Sequence, residues 1–184
     1  MIGEELIVGE TKRTNKQGII SLQFAFPSIP VYYVNLESLS WNAGMEHTPL
    51  HLKSFCSLLA PHHVIVGDNI GTELMKWFRN RTAQRDSAMS LIKQFPEFQS
   101  QTKQITEIEE TFAKKYASQY LFVCVPDQEA ANCVYINQTV LRRSGKEFPE
   151  SGKIFERVKL PQIEIDASEL SKVDGAITCC SLLF

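Results

Sequence analysis

The sequence predicts an α/β fold in which a strand-strand-helix-strand unit recurs, and two observations predict it. Short apolar runs of strand length alternate with amphipathic stretches of helix length along the chain. Their order also repeats: two adjacent strand-like runs, a helix and a returning strand appear before residue 126, and again more compactly after residue 132. Such a recurrence points to a radially repeated α/β architecture rather than a simple doubly wound sheet. The 184 residues fit one domain, since domains run to about 100–200 residues.

Taken in order, residues 5–8 read as a strand, and Thr14 is placed to cap a helix through about Phe26. Pro27 and Pro30 end that helix, and residues 31–36 form a second strand. Residues 36–48 read as an irregular surface loop. Two strand-like runs follow, 52–59 and 63–66, split by Ala60-Pro61. A helix over 72–78 and a buried strand over 120–125 complete the first unit. In the second unit, 133–137 and 140–142 are short strands, 149–158 a helix and 163–165 the returning strand. Asp166 or Ser168 caps a short turn over 169–173 before a last strand over 176–183. Residues 79–115 stand apart, rich in Gln, Glu, Lys and Thr, with Ile92, Phe95, Ile105, Ile108 and Phe112 at loose helical spacing. They read as a surface helical insertion.

Composition narrows the function classes. A hydrophobic content of 43% with 22% charged residues describes a globular chain rather than a disordered one. A formal net charge of −2 provides no electrostatic footprint for nucleic acid. No apolar run reaches the roughly 18 residues of a membrane span. Five cysteines, an odd number, without a charged-then-apolar leader predict a reducing, cytoplasmic setting and no disulfide framework. Asn80-Arg81-Thr82 and Asn137-Gln138-Thr139 are then chance matches to the glycosylation pattern. Cys180 stands one place too early for prenylation.

Few residues can carry chemistry. Cys179 and Cys180 follow an Asp174-Gly175 turn, and in a strand only one of the two would face a given pocket. His51 lies in an apolar, small-residue setting, and a cysteine with a distant histidine is the minimal set for a thiolate nucleophile and its proton partner. Each of these residues taken alone has a structural use. The histidines lack the short spacing of a zinc site, so no metal is expected. The run from Val66 to Gly71 lacks the length and the lysine of a phosphate loop, so no nucleotide or other cofactor is expected. Arg13 at a helix mouth is either a solvated base or a fork for a carboxylate.

Five blocks in one order carry a resemblance: Lys12-Arg13-Thr14-Asn15, Leu50-His51-Leu52-Lys53-Ser54-Phe55-Cys56-Ser57, Ala130-Ala131-Asn132-Cys133-Val134-Tyr135-Ile136-Asn137, Phe148-Pro149-Glu150-Ser151, and the stretch from Lys172-Val173-Asp174-Gly175 to Thr178-Cys179-Cys180-Ser181. Together they resemble the C-terminal half of dimethylarginine dimethylaminohydrolase, of the guanidine-modifying pentein enzymes. The resemblance covers most of 1–26, 50–72 and 120–184. It implies a partial five-bladed α/β propeller of ββαβ modules, with the N-terminal blades missing, as a single domain over 1–184. It also implies hydrolysis of asymmetric dimethylarginine or monomethylarginine to citrulline and a methylamine. By similarity Cys179 is the nucleophile and His51 the acid/base, Arg13 holds the substrate carboxylate, and Val173 and Asp174 lie near its amino group. Arginine deiminase-type activity on unmethylated arginine fits the blocks less well.

The family's other half would supply the acidic residues for the guanidinium, a second arginine and a lid loop. An unpaired buried cation costs about 3–5 kcal/mol, or roughly two to three and a half decades of binding. The expected partners are therefore a small methylated-arginine substrate and a complementary N-terminal segment or a second copy of the chain. The alternative is a catalytically inactive homologue that serves as a binding or regulatory module.

Overall fold

The computed structural model describes residues 5–39, 51–81, 87–95, 120–173 and 175–181. The chain divides into two compact units.

In the first unit, strand β1 (Leu6–Glu10) pairs in parallel with β2 (Val31–Asn35), with Leu6 opposite Val31 and Glu10 opposite Asn35. Helix α1 (Lys16–Ala25) makes the crossover. Its cap is Asn15 rather than Thr14: Asn15 Oδ1 accepts from Gly18 N at 2.9 Å. Thr14 is already committed to a tight turn, exchanging backbone hydrogen bonds with Thr11, so the next extended residue takes the cap. Pro27 and Pro30 turn the chain after α1, and the buried Gln23 holds that turn. Its amide donates to the carbonyls of Phe26 and Ile29 and accepts from Val31 N. The part of helix α2 (Asp68–Asn80) from Glu73 onward belongs to this unit and is followed by Arg81, whose guanidinium is buried in an ion pair with Glu5 at 2.8 Å and lies over the Tyr32 ring. Helix α3 (Ala88–Ile92) joins Ile19, Ile20 and Val31 in one apolar cluster.

The second unit holds the strands of two copies of the recurring module, the helix of the first copy, α2, being divided between the two units. Strand β3 (Cys56–Ala60) pairs antiparallel with β4 (His63–Gly67), and β4 pairs in parallel with β5 (Leu121–Val125). Then β6 (Val134–Ile136) pairs antiparallel with β7 (Thr139–Arg143), and β7 in parallel with β8 (Gln162–Ile165) after helix α4 (Pro149–Phe155). The ββαβ order read from the sequence is thus present as mixed sheets. Pro149 opens α4, where a missing N–H costs nothing. Leu59, Ile65, Val125, Ala130, Ala131, Cys133, Val140 and Phe155 form one core cluster that draws on both modules.

Three expectations need correction. The predicted last strand is instead a short 3-10 turn, Ile177–Cys180, followed by Ser181. No strand pairs with it among the described residues; Cys179 N bonds back to the Ala176 carbonyl and Ser181 Oγ to that of Ile177, local bonds that satisfy the backbone without a ladder. Segment 79–115 is not all surface: Arg81, Ala88, Met89, Leu91 and Ile92 are buried, because helix α3 supplies apolar side chains to the first core. Residues 82–86 and 96–119 lie outside the described residues, as does 40–50. Within the predicted 36–48 loop, Leu36–Ser38 is a 3-10 turn capped by Asn35, with Leu36 buried.

Candidate thiol site

The five cysteines separate by environment. Cys56 and Cys133 are buried in the second unit, and burial drives both thiols upward, Cys133 to about 12 and Cys56 further still. Burial, followed by the charge of Asp68, also raises the Cys124 thiol. All three are held as inert thiols at neutral pH. Cys179 and Cys180 are the exposed pair, so a reagent or substrate in water meets these two. The 3-10 geometry removes the argument that strand alternation points Cys180 away, since both side chains reach solvent.

The turn that carries Cys179 is pinned from outside. Asn132, 1% exposed, accepts from Thr178 N with Oδ1 at 3.1 Å and donates from Nδ2 to Thr178 Oγ1 at 2.8 Å. The same Nδ2 donates to the Lys53 carbonyl at 2.7 Å, and Lys53 Nζ reaches the Thr178 carbonyl at 3.2 Å. Upstream, the short helix α5 (Ser168–Ser171) closes through Gly175, whose N–H bonds to the Leu170 carbonyl at 3.0 Å. A Cβ on Gly175 would lie 2.6 Å from a Leu170 methyl and 3.0 Å from its carbonyl oxygen. Only glycine allows that approach. Val173, 76% exposed, stands just before; Asp174 lies outside the described residues.

The other predicted residues belong to the first unit. Arg13 is exposed, in the Thr11–Thr14 turn before α1, where its N–H donates to Thr11 Oγ1. His51 is exposed immediately before the 3-10 turn Leu52–Ser54. Within the second unit the structure brings together Cys179, Thr178, Asn132 and Lys53. The role of Asn132 was not legible beforehand, although its block was conspicuous, because its partners lie 46 and 79 positions away. Among the described residues no group of three or more His, Cys, Asp or Glu could hold a metal ion. No described helix is long and apolar enough to cross a membrane.

The class that this fold defines is an α/β protein of small mixed sheets with ββαβ connections. No family model matches the chain. Over its whole length it is 23% identical to N(G),N(G)-dimethylarginine dimethylaminohydrolase of Pseudomonas aeruginosa, across 186 residues that make up 53% of that protein. Among solved structures it matches a cysteine-to-serine mutant of that dimethylarginine dimethylaminohydrolase complexed with citrulline, with a TM-score of 0.62 and 22% identity. That match takes in 100% of this chain and 53% of the other. It matches equally a histidine-to-glycine mutant dimethylarginine dimethylaminohydrolase, an adduct with S-methyl-L-thiocitrulline, with a TM-score of 0.62, 21% identity and the same coverage. The chain is similar over its whole length to the C-terminal half of these dimethylarginine dimethylaminohydrolases and spans about half the length of the relatives it matches.

Proposed function

We propose that this chain carries the nucleophile half of a dimethylarginine hydrolase. The observation that carries the reading is the whole-length similarity to dimethylarginine dimethylaminohydrolase, taken with an exposed Cys179 on a turn anchored by hydrogen bonds to the buried Asn132. On this reading the ββαβ modules belong to a single-domain, five-bladed pentein propeller of which 1–184 is part. The complementary blades come from an N-terminal segment or a second copy, and the protein works in the cytoplasm.

The reaction follows from the residue types. The Cys179 thiolate attacks the central guanidinium carbon of asymmetric dimethylarginine or monomethylarginine, forming a C–S bond. His51 gives its proton to the departing amine as the C–N bond breaks, leaving a covalent thiouronium. It then takes a proton from water, which attacks the same carbon and expels the thiolate to yield citrulline. The positive substrate stabilises the thiolate as it binds. Arg13 grips the carboxylate with its fork, and Val173 and Asp174 sit by the amino group. The half that holds the guanidinium is not among these residues, so the 184-residue chain alone is expected to turn over little or nothing.

The test is citrulline release from asymmetric dimethylarginine, with Cys179→Ser and Cys180→Ser in parallel. Turnover, in the chain alone or with its complement, that Cys179→Ser abolishes and Cys180→Ser spares supports the reading. Turnover that survives Cys179→Ser sinks it. A folded chain that stays silent with its complement supplied favours a binding or regulatory module instead.

A further inference from the structure

We propose that Asn132 is the positioning residue of the thiol site, a role that rests on the reading of Cys179 as nucleophile. One buried side-chain amide makes three hydrogen bonds to two remote pieces of chain. Its Oδ1 and Nδ2 grip the N–H and Oγ1 of Thr178, the residue before Cys179. Its Nδ2 also grips the carbonyl of Lys53, two positions after His51 in the chain. The orientation of the amide is forced, because a backbone N–H faces one of its ends and a backbone carbonyl the other. Lys53 closes the circuit from its other end, its ammonium meeting the Thr178 carbonyl.

A 3-10 turn of four residues has poor hydrogen-bond geometry and no intrinsic persistence. Left to itself, Ile177–Cys180 would sample many placements of the Cys179 sulfur, whereas a nucleophile misplaced by an ångström loses much of its rate. Asn132 cannot itself attack or titrate. Its neighbours Ala130, Ala131 and Cys133 are buried, so the amide projects from a rigid floor onto the two turns. A shorter or charged side chain there could not satisfy a donor and two acceptors at once. The buried groups left unpaired would then pull the turn away.

The experiment reads placement directly and does not depend on turnover. Native protein is alkylated with 2-chloroacetamidine, and rates at Cys179, Cys180 and the buried Cys56 and Cys133 are followed by peptide mass spectrometry. In the wild type Cys179 reacts faster than Cys180. Thr178→Val, which removes one acceptor while keeping the shape, moves the Cys179:Cys180 ratio about fivefold toward unity; Thr178→Ser restores it, and Asn132→Ala moves it further. Cys56 and Cys133 stay protected wherever the fold is intact, so an unfolded Asn132→Ala is recognised as such and Thr178→Val decides. Equal rates in the wild type, or a ratio that Thr178→Val leaves unchanged, overturn the proposal. Where citrulline is released, Thr178→Val lowers kcat with KM unchanged. Absence of release with the complement supplied refutes the reaction, and the labelling ratio still decides the role of Asn132.

Discussion

The two ββαβ modules share one topology and are held together by opposite means. In β3–β4–β5 the first two strands are almost wholly buried, and the apolar residues Leu59, Val64, Ile65 and Val66 carry the sheet. In β6–β7–β8 the middle strand ends in two buried arginines. Arg142 bonds to Gln162 at 2.6 Å and to Glu164 at 2.7 Å, and its guanidinium lies 4.9 Å from the centre of the Phe155 ring. Arg143 pairs with Glu147 and lies 5.0 Å from the centre of the Phe148 ring. The first module is stabilised by area removed from water, which asks only for apolar residues of suitable size. The second needs specific partners in specific places, and one lost partner strands a charge. The modules meet where Ser57 Oγ accepts from Cys133 N at 3.3 Å, and the Cys179 turn is anchored from the same segment, one residue earlier.

The largest effect expected from breaking this contrast is at Phe155, which is buried beneath Arg142. Phe155→Ala should cost about 3–5 kcal/mol in urea denaturation, through the cavity and the lost ring face. Ile65→Ala in the first module should cost about 2–5 kcal/mol through the cavity alone. A double variant, Phe155→Ala with Arg142→Met, should then recover part of the loss, and no recovery would show that Arg142 does not depend on the ring.

Next comes Glu147. The Arg143 hydrogen bond, with backbone N–H donors from Ala167 and Ser144 and the Arg143 charge, outweighs desolvation and holds its carboxyl below the usual range. Because the folded value is depressed, its stabilisation is complete above the unfolded value near pH 4.3 and disappears as pH falls through the lower folded value. Glu147→Gln should therefore cost about 1.5–3 kcal/mol at pH 7, and thermal melts of the variant and wild type should converge on acidification. A gap that persists unchanged at pH 2 would mean that the charge is not what matters.

Smaller still is the seam between the modules. Ser57→Ala leaves Cys133 N without its acceptor and should lower stability by about 1–3 kcal/mol, with faster alkylation of Cys133 as the local signature. Smallest is the β6–β7 hairpin, where Asn137 and Gln138 have φ of 49° and 60°. Asparagine tolerates this region and glutamine does not. Gln138→Gly should thus raise the melting midpoint slightly, because it relieves about 1–2 kcal/mol of left-handed strain against about 0.5–1 kcal/mol of added unfolded-state entropy; a decrease would show that the Gln138 side chain has a contact worth more than the strain.

Much of the fold was legible because it rests on local periodicity and punctuation. The runs at 31–36, 63–66, 120–125 and 163–165 were strands within a residue or two, and Pro27, Pro30 and Pro149 marked helix ends. The last turn was misread for a reason specific to it. Ala176-Ile177-Thr178-Cys179-Cys180 has the β-branched and apolar content of a strand, but a strand requires a partner, and this segment meets an asparagine side chain instead. Helix α3 was misjudged likewise: Ala88, Met89, Leu91 and Ile92 do not announce burial until α1 and β2 present an apolar face.

The sequence by itself determined the ββαβ order, the residue types able to carry thiol chemistry and the resemblance to dimethylarginine dimethylaminohydrolase, because these depend on identity and spacing along the chain. Only the tertiary structure decided that Cys56 and Cys133 are buried while Cys179 and Cys180 meet solvent, that Glu5 answers Arg81, and that Asn132 anchors the Thr178 turn. These pairings join residues 46 to 79 positions apart. No local rule sets such distances; they follow from the simultaneous burial of apolar faces and the requirement that every polar group carried inside finds a partner.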